Sequence, residues 1–139
     1  MNTPPTHQAV SDAIQTALQQ TAVIIPARNE EKSIGLVLSD LPDVGCVIVA
    51  NNGSTDATAD IARRHGCVVI DVPIAGYGRA CLSGMNELQE RVEQNSRKES
   101  QKESHKELKL GALDIRYVGF IDADYSDHPQ ELVLSLIHI

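Results

Sequence analysis

Two carboxylates separated by a single residue, Asp122 and Asp124, follow the apolar run 117–121. Residues two apart in an extended chain point the same way, so a strand that stops at Asp122 would present both side chains at one edge of a sheet. Open α/β sheets bind ligands at the carboxyl ends of their strands. Two carboxylates there suit Mg²⁺ or Mn²⁺, which usually hold substrate phosphates as well. On this motif alone, two solvated loop aspartates are the competing interpretation.

Composition sets the limits for that hypothesis. The 139 residues are enough for about one domain. Hydrophobic residues make up 42% of the chain but aromatic residues only 3%, so the core must be built from aliphatic side chains. A net charge of -7 argues against a nucleic-acid surface, which needs a basic face. It does not argue against a phosphate ligand, because a bound metal can supply positive charge locally.

The cysteines and the terminal segments exclude several other classes. Three cysteines with no C-x-x-C spacing indicate neither a disulfide framework nor a zinc site. No apolar stretch approaches the length of a membrane span, and residues 1–20 lack the basic and apolar regions of a secretory signal. We therefore expect a cytoplasmic protein, with the cytoplasmic face of the membrane as the other location considered.

Hydrophobic periodicity predicts the elements that must position the carboxylates. Continuous apolar runs are typical of strands buried on both faces, and they lie at 22–25, 46–50, 68–72 and 117–121. Helical spacing of apolar residues predicts helices over 7–20, 29–41, 54–65 and 79–92. Because strands alternate with helices, we expect an α/β fold with a parallel sheet and right-handed crossovers.

Side chains and turns predict where the helices begin and end. Asn29 is expected to cap the second helix, and Ser54 or Thr55 the third. Pro42 and Gly66 are expected to end those two helices.

The segment 95–109 interrupts this alternation. It carries a period-four repeat of Lys-Glu pairs, and no apolar residue lies between Val92 and Leu108 to anchor it. We therefore interpret 95–109 as a solvated, frayed insertion between the fourth helix and the last strand.

Three strand ends converge on one edge of the predicted sheet, and together they resemble a known family. They carry the sequences Pro26-Ala27-Arg28-Asn29-Glu30, Asn51-Asn52-Gly53-Ser54-Thr55-Asp56 and Asp122-Ala123-Asp124. This ordered set resembles glycosyltransferase family 2, the nucleotide-sugar transferases of GT-A fold, over 21–94 and 117–134. The segment 122–129 is similar to the metal motif of the polyprenyl-phosphate sugar synthases in that family. The resemblance implies a Rossmann-like parallel core, with an N-terminal extension at 1–20 and a donor-binding part at 21–139.

The resemblance assigns the first strand end to the nucleoside. Pro26, Ala27 and Glu30 would lie along it, with the Glu30 carboxylate accepting hydrogen bonds from ribose hydroxyls. The alternative is that Glu30 only stabilises the start of a helix.

The second strand end, Asn51-Asn52-Gly53, departs from the family pattern. The family usually places an aspartate at position 51 or 52, whose carboxylate accepts the ring N–H of uracil or guanine. This chain has two asparagines there, and an amide can both accept and donate. Contact with the base is therefore an expectation, with a turn-forming role as the alternative.

The remaining assignments concern the diphosphate of a UDP- or GDP-sugar. Gly76 permits close approach of the backbone to the ligand. Arg79 either reaches the diphosphate or is an ordinary surface arginine. Tyr77 either stacks on the base or packs within the protein. The resemblance implies that the segment Asp122-Ala123-Asp124 holds the diphosphate through Mg²⁺ or Mn²⁺, with both aspartates as metal ligands. The metal would stabilise charge on the departing nucleoside diphosphate.

The activity implied is metal-assisted sugar transfer to an acceptor such as polyprenyl phosphate or another glycan. No general base can be named, since the family draws it from a later segment, and residues 135–139 look like a truncated end. We therefore expect donor binding at best from this chain. A non-catalytic nucleotide-binding module is the alternative. A dinucleotide-binding oxidoreductase is disfavoured, because 26–30 lacks a G-x-G-x-x-G pattern.

Overall fold

The computed structural model describes residues 3–100 and 114–131. In these ranges the helices are α1 (His7–Gln19), α2 (Ile34–Asp40), α3 (Thr58–Arg64) and α4 (Tyr77–Ser100). The strands are β1 (Thr21–Ala27), β2 (Cys46–Asn51), β3 (Val68–Asp71) and β4 (Tyr117–Phe120). A short 3₁₀ helix, Pro129–Glu131, follows β4. None of the helices described is long and apolar enough to cross a membrane.

The described strands form one parallel sheet in the order β3-β2-β1-β4. Ile24 of β1 lies opposite Ile48 of β2 and Phe120 of β4. The predicted parallel α/β core is confirmed, with the strand ends at Pro26, Ala50 and Ile121 at one edge. The chain crosses from one side of β1 to the other between β3 and β4, so the strand order reverses at the β1–β4 boundary. Ligands of open α/β sheets bind outside such a boundary.

The core lies on both faces of β1, which is fully buried along its length. Val23 and Ile25 face α2 and α3, while Ala22 and Ile24 pack with Leu88 of α4. This alternation follows from the two-residue repeat of a strand. It also explains why β1 is a continuous apolar run, because both of its faces are covered.

Helix α4 approaches the sheet closely at Gly84. A Cβ atom added there would lie 2.5 Å from Cγ2 of Ile24, closer than two carbon atoms can pack. The glycine therefore lets α4 lie directly against β1, with the start of the helix at the carboxyl edge of the sheet.

The predicted helix caps are wrong, although the predicted helix ends are confirmed. Helix α2 begins at Ile34 rather than after Asn29, which has a left-handed φ of 52° and accepts a hydrogen bond from Thr55 N at 2.8 Å. Ser54 does not cap α3, since its hydroxyl accepts from Asn29 N at 3.0 Å. These side chains connect two loops instead of starting helices. Helix α2 ends just before Pro42, and Gly66 follows α3 with a φ of 78°.

Two further predictions, the extent of the charged insertion and the burial of the last strand, differ from the structure. Helix α4 continues through Ser100, so positions 95–100 of the expected insertion are helical, while 101–109 lies outside the described residues. Strand β4 was expected to be buried like the other apolar runs, but it is mostly exposed and lies at the edge of the described sheet.

Candidate functional site

A cleft of about 390 Å³ opens at the carboxyl edge of the sheet, where β1 meets the segment after β4 and the start of α4. This volume lies in the range of small-molecule sites, about 300–1,000 Å³. The cleft is lined by Pro26, Ala27, Arg28, Glu30, Asn52, Gly76, Tyr77, Ala80, Asp122, Ala123 and Asp124.

Most residues singled out from the sequence lie in this lining, but Asn51, Gly53 and Arg79 do not. Asn51 is 8% exposed, and its amide is used inside the protein. Its Nδ2 donates to Asp71 Oδ1 at 2.9 Å, and its Oδ1 accepts from Ser54 N at 3.3 Å. Gly53 forms an exposed turn with a φ of 75°.

Arg28 and Ala80 line the cleft although the sequence did not single them out as binding residues. Tyr77, expected either to stack on the base or to pack within the protein, lines the cleft as well. Arg28 follows β1 directly. Its position at the end of a strand could have indicated from the sequence that it lines the site. Ala80 is buried on the first turn of α4. It lies one helical turn after Gly76, and this spacing could have indicated its place at the site.

The two loops that form one wall of the cleft are joined by hydrogen bonds. Glu30 N donates to Thr58 Oγ1 at 2.9 Å, and Glu31 N donates to Asp56 Oδ2 at 3.2 Å. In return, Ala57 N donates to Glu31 Oε2 at 3.1 Å. The hydrogen bond from the Thr58 hydroxyl holds the pKa of Asp56 below its ordinary value. These contacts fix Glu30 at the end of β1.

Glu30 keeps acceptor capacity toward the cleft. The Ser33 hydroxyl lies 3.1 Å from Glu30 Oε2 but only 2.7 Å from the carbonyl oxygen of Ala123. A hydroxyl has one hydrogen to donate, and the shorter contact indicates that it goes to Ala123. Ser33 therefore ties the Asp122–Asp124 segment to the start of α2, and the Glu30 carboxylate stays able to accept from a ligand.

Asn52 orients the loop that leads into α4. Its Nδ2 donates to the carbonyl oxygen of Ile74 at 3.1 Å, and its Oδ1 accepts from Gly76 N at 2.9 Å. The side chain is 6% exposed, so these bonds are sheltered from water. The amides of both predicted base-reading asparagines are thus engaged inside the protein.

Asp122 and Asp124 reach the cleft from a turn. Strand β4 ends at Phe120 and residues 123–124 lie in a turn, so the expectation of a strand that continues to Asp122 with an extended Asp-x-Asp segment is wrong. Tyr125, directly after the motif, has a left-handed φ of 63°. Asp124 Oδ1 accepts from Ser126 N at 3.0 Å, and the hydrogen bonds of Ser126 lower the pKa of Asp124. The Tyr125 hydroxyl donates to Asp40 at the end of α2, which anchors the turn.

The cleft is negatively charged. Among the described lining residues, Glu30, Asp122 and Asp124 carry carboxylates and Arg28 carries a guanidinium. In the described ranges no three His, Cys, Asp or Glu side chains are grouped as a metal site. Mg²⁺ commonly takes one or two carboxylates and completes its shell with waters and substrate phosphates. The two aspartates therefore fit a cation that is shared with a phosphate ligand.

The family is shown by comparison with known proteins. The model described as "Glycosyl transferase family 2" matches residues 22–92, and the chain belongs to this family. It is similar to the 4,4'-diaponeurosporenoate glycosyltransferase of Staphylococcus aureus (strain USA300), with 44% identity over 88 residues, 57% of this chain and 24% of the relative. An uncharacterized glycosyltransferase of Mycobacterium tuberculosis (strain H37Rv) is 43% identical over 63 residues, 45% of this chain and 29% of that protein. The chain thus spans only part of these relatives.

Solved structures of similar fold confirm the GT-A architecture. A crystal structure of a mycobacterial protein has a TM-score of 0.56 and 25% identity, covering 99% of this chain and 43% of that one. Glucosyl-3-phosphoglycerate synthase from Mycobacterium tuberculosis, in complex with Mn²⁺, uridine diphosphate and glucosyl-3-phosphoglycerate, has a TM-score of 0.53 and 23% identity. That match covers 95% of this chain and 43% of the synthase.

Proposed function

We propose that the chain is the donor-binding part of a metal-assisted glycosyltransferase that uses a UDP- or GDP-sugar. The observation that carries this proposal is the cleft at the β1–β4 boundary, which gathers Glu30, Asp122 and Asp124. A ligand with both hydroxyls and a diphosphate matches this set, because one carboxylate can accept from hydroxyls while two share a cation.

Different residues of the cleft bind the ribose, the diphosphate and the metal of the proposed donor complex. Glu30, fixed by Thr58, accepts hydrogen bonds from the ribose hydroxyls of the donor. Arg28 forms charge-assisted hydrogen bonds to a phosphate oxygen. Asp122 and Asp124 hold Mg²⁺ or Mn²⁺, which when bound supplies Lewis-acid stabilisation of the departing diphosphate.

Sugar transfer also requires an acceptor and a general base. We propose that both are supplied outside the described residues, with polyprenyl phosphate and other glycans as acceptors to test. The Staphylococcus aureus relative is named for 4,4'-diaponeurosporenoate, which adds that compound to the panel of acceptors. We further propose that the protein works in the cytoplasm, where nucleotide sugars and reduced cysteines would both be found.

The donor site is tested by the substitution Asp124→Asn. It removes one metal-binding charge from an exposed turn, and we expect affinity for UDP and GDP in Mn²⁺ to fall at least about tenfold. Isothermal titration calorimetry measures this change. Asp43→Asn is the matched control, since Asp43 is an exposed aspartate next to the amino end of β2.

The control should bind as the wild type does. If Asp124→Asn bound both nucleotides as tightly as the wild type in Mn²⁺, the assignment of the metal to this turn would be wrong.

A further inference from the structure

Tyr77, the first residue of α4, reaches across the cleft to the Asp122 turn. Its phenol oxygen donates a hydrogen bond to Asp122 Oδ1 at 3.0 Å, joining residues 45 positions apart in the chain. Tyr77 is 62% exposed, so packing is not what fixes its ring.

The backbone before α4 determines where Tyr77 points. Asn52 holds Ile74 and Gly76 through the hydrogen bonds described above. Gly76 has a φ of 145°, a backbone conformation that residues other than glycine rarely adopt. Its carbonyl oxygen accepts a hydrogen bond from Ala80 N at 3.0 Å. The end of β2 is therefore connected through this loop to the position of Tyr77.

The Asp122 carboxylate has one engaged oxygen and one available oxygen. Its Oδ1 accepts from Tyr77, while no hydrogen bond to Oδ2 is found within 3–100 and 114–131. The backbone of Asp122 is also fixed, because its N–H donates to Asp127 Oδ2 at 3.0 Å. The side chain can still rotate about its two torsions, and the hydrogen bond from Tyr77 opposes both rotations.

We propose that Tyr77 is a positioning residue of the metal site: its hydroxyl holds Asp122 Oδ1 and leaves Oδ2 to bind the divalent cation. The inference rests on the proposed function, since it requires that Asp122 be a metal ligand. Hydrogen-bond partners of metal ligands typically account for about 10–100-fold in metal affinity. The aromatic ring of Tyr77 is not needed for this role, so its hydroxyl can be tested alone.

The test compares Tyr77→Phe with the wild type and with Tyr117→Phe, which removes a phenol at the other end of β4. Binding of Mn²⁺ in saturating UDP is followed by electron paramagnetic resonance of the free ion, and UDP binding in excess EDTA by ligand-observed NMR. GDP replaces UDP if the wild type binds it more tightly. We expect Tyr77→Phe to weaken Mn²⁺ binding about tenfold while UDP binding in EDTA and the melting temperature stay unchanged. Tyr117→Phe should match the wild type throughout.

Two results would overturn the inference while leaving the proposed function in place. One is equal Mn²⁺ affinity in Tyr77→Phe and the wild type. The other is an equal loss of UDP binding with and without metal, which would show that the hydroxyl contacts the nucleotide. If the wild type bound neither nucleotide with Mn²⁺, the proposed function would fail and this inference with it.

Discussion

Thr58 is a fully buried residue whose hydroxyl joins the two loops beside the cleft. It accepts from Glu30 N at 2.9 Å and donates to the carboxylate of Asp56. A methyl group in its place would leave the Glu30 N–H without this partner. The position of Glu30 at the cleft therefore depends on one hydroxyl that lies on the neighbouring helix.

We expect Thr58→Val to lower the free energy of unfolding by about 1–3 kcal/mol, the cost of an unsatisfied buried donor. Thr58→Ser keeps the hydroxyl and is the matched control, so its loss should be smaller. Urea denaturation of both variants measures the difference. Equal stability of the valine and serine variants would show that the hydroxyl does not hold the loops together.

At the residue scale, the positions of Glu30, Asp122 and Asp124 at the cleft could be predicted from the sequence, because the carboxyl ends of parallel strands meet at one edge. The contact between Tyr77 and Asp122 could not be predicted, because it depends on tertiary placement across 45 positions. The hydrogen bonds that engage the amides of Asn51 and Asn52 are also formed by tertiary contacts, which no local pattern shows.

At the scale of the elements, the contact between α4 and β1 depends on a glycine. A Cβ atom at position 84 would lie 2.5 Å from Cγ2 of Ile24, whose side chain is fully buried. Gly78 offers a comparison in the same helix, because nothing lies within 4 Å of an added Cβ there.

We expect Gly84→Ala to be destabilising. Overpacking a core contact costs about 1–3 kcal/mol, which outweighs the gain of about 1 kcal/mol from alanine in a helix. Gly78→Ala carries only the helix gain, so it should be neutral or slightly stabilising. Thermal unfolding of the two variants compares them. A Gly84→Ala protein as stable as Gly78→Ala would contradict the close contact with Ile24.

Strands were easier to predict than helix starts for a physical reason. A strand buried on both faces requires an uninterrupted apolar run, which is visible in the sequence, as at β1. A capping residue is recognised only by its type, and Asn29 and Ser54 were suitable types. They are used instead for bonds between loops about 25 positions apart, which no local pattern reveals.

At the scale of the whole molecule, the strand order explains why one edge carries the site. β1 lies between β2 and β4, so the segments after all three strands converge where the order reverses. The alternation of strands and helices predicted this parallel sheet, but local periodicity does not specify strand order. The chain spans 24–29% of the length of these curated relatives.

The negative charge of the cleft makes nucleotide binding dependent on a metal ion. Three carboxylates would repel a diphosphate unless a cation lies between them. Isothermal titration calorimetry of the wild-type chain with UDP and GDP, in Mn²⁺ and in excess EDTA, measures this dependence. We expect at least one nucleotide to bind about tenfold or more tightly with Mn²⁺ than in EDTA. Equal affinity under both conditions, or no binding of either nucleotide with Mn²⁺, would contradict a metal-assisted donor site.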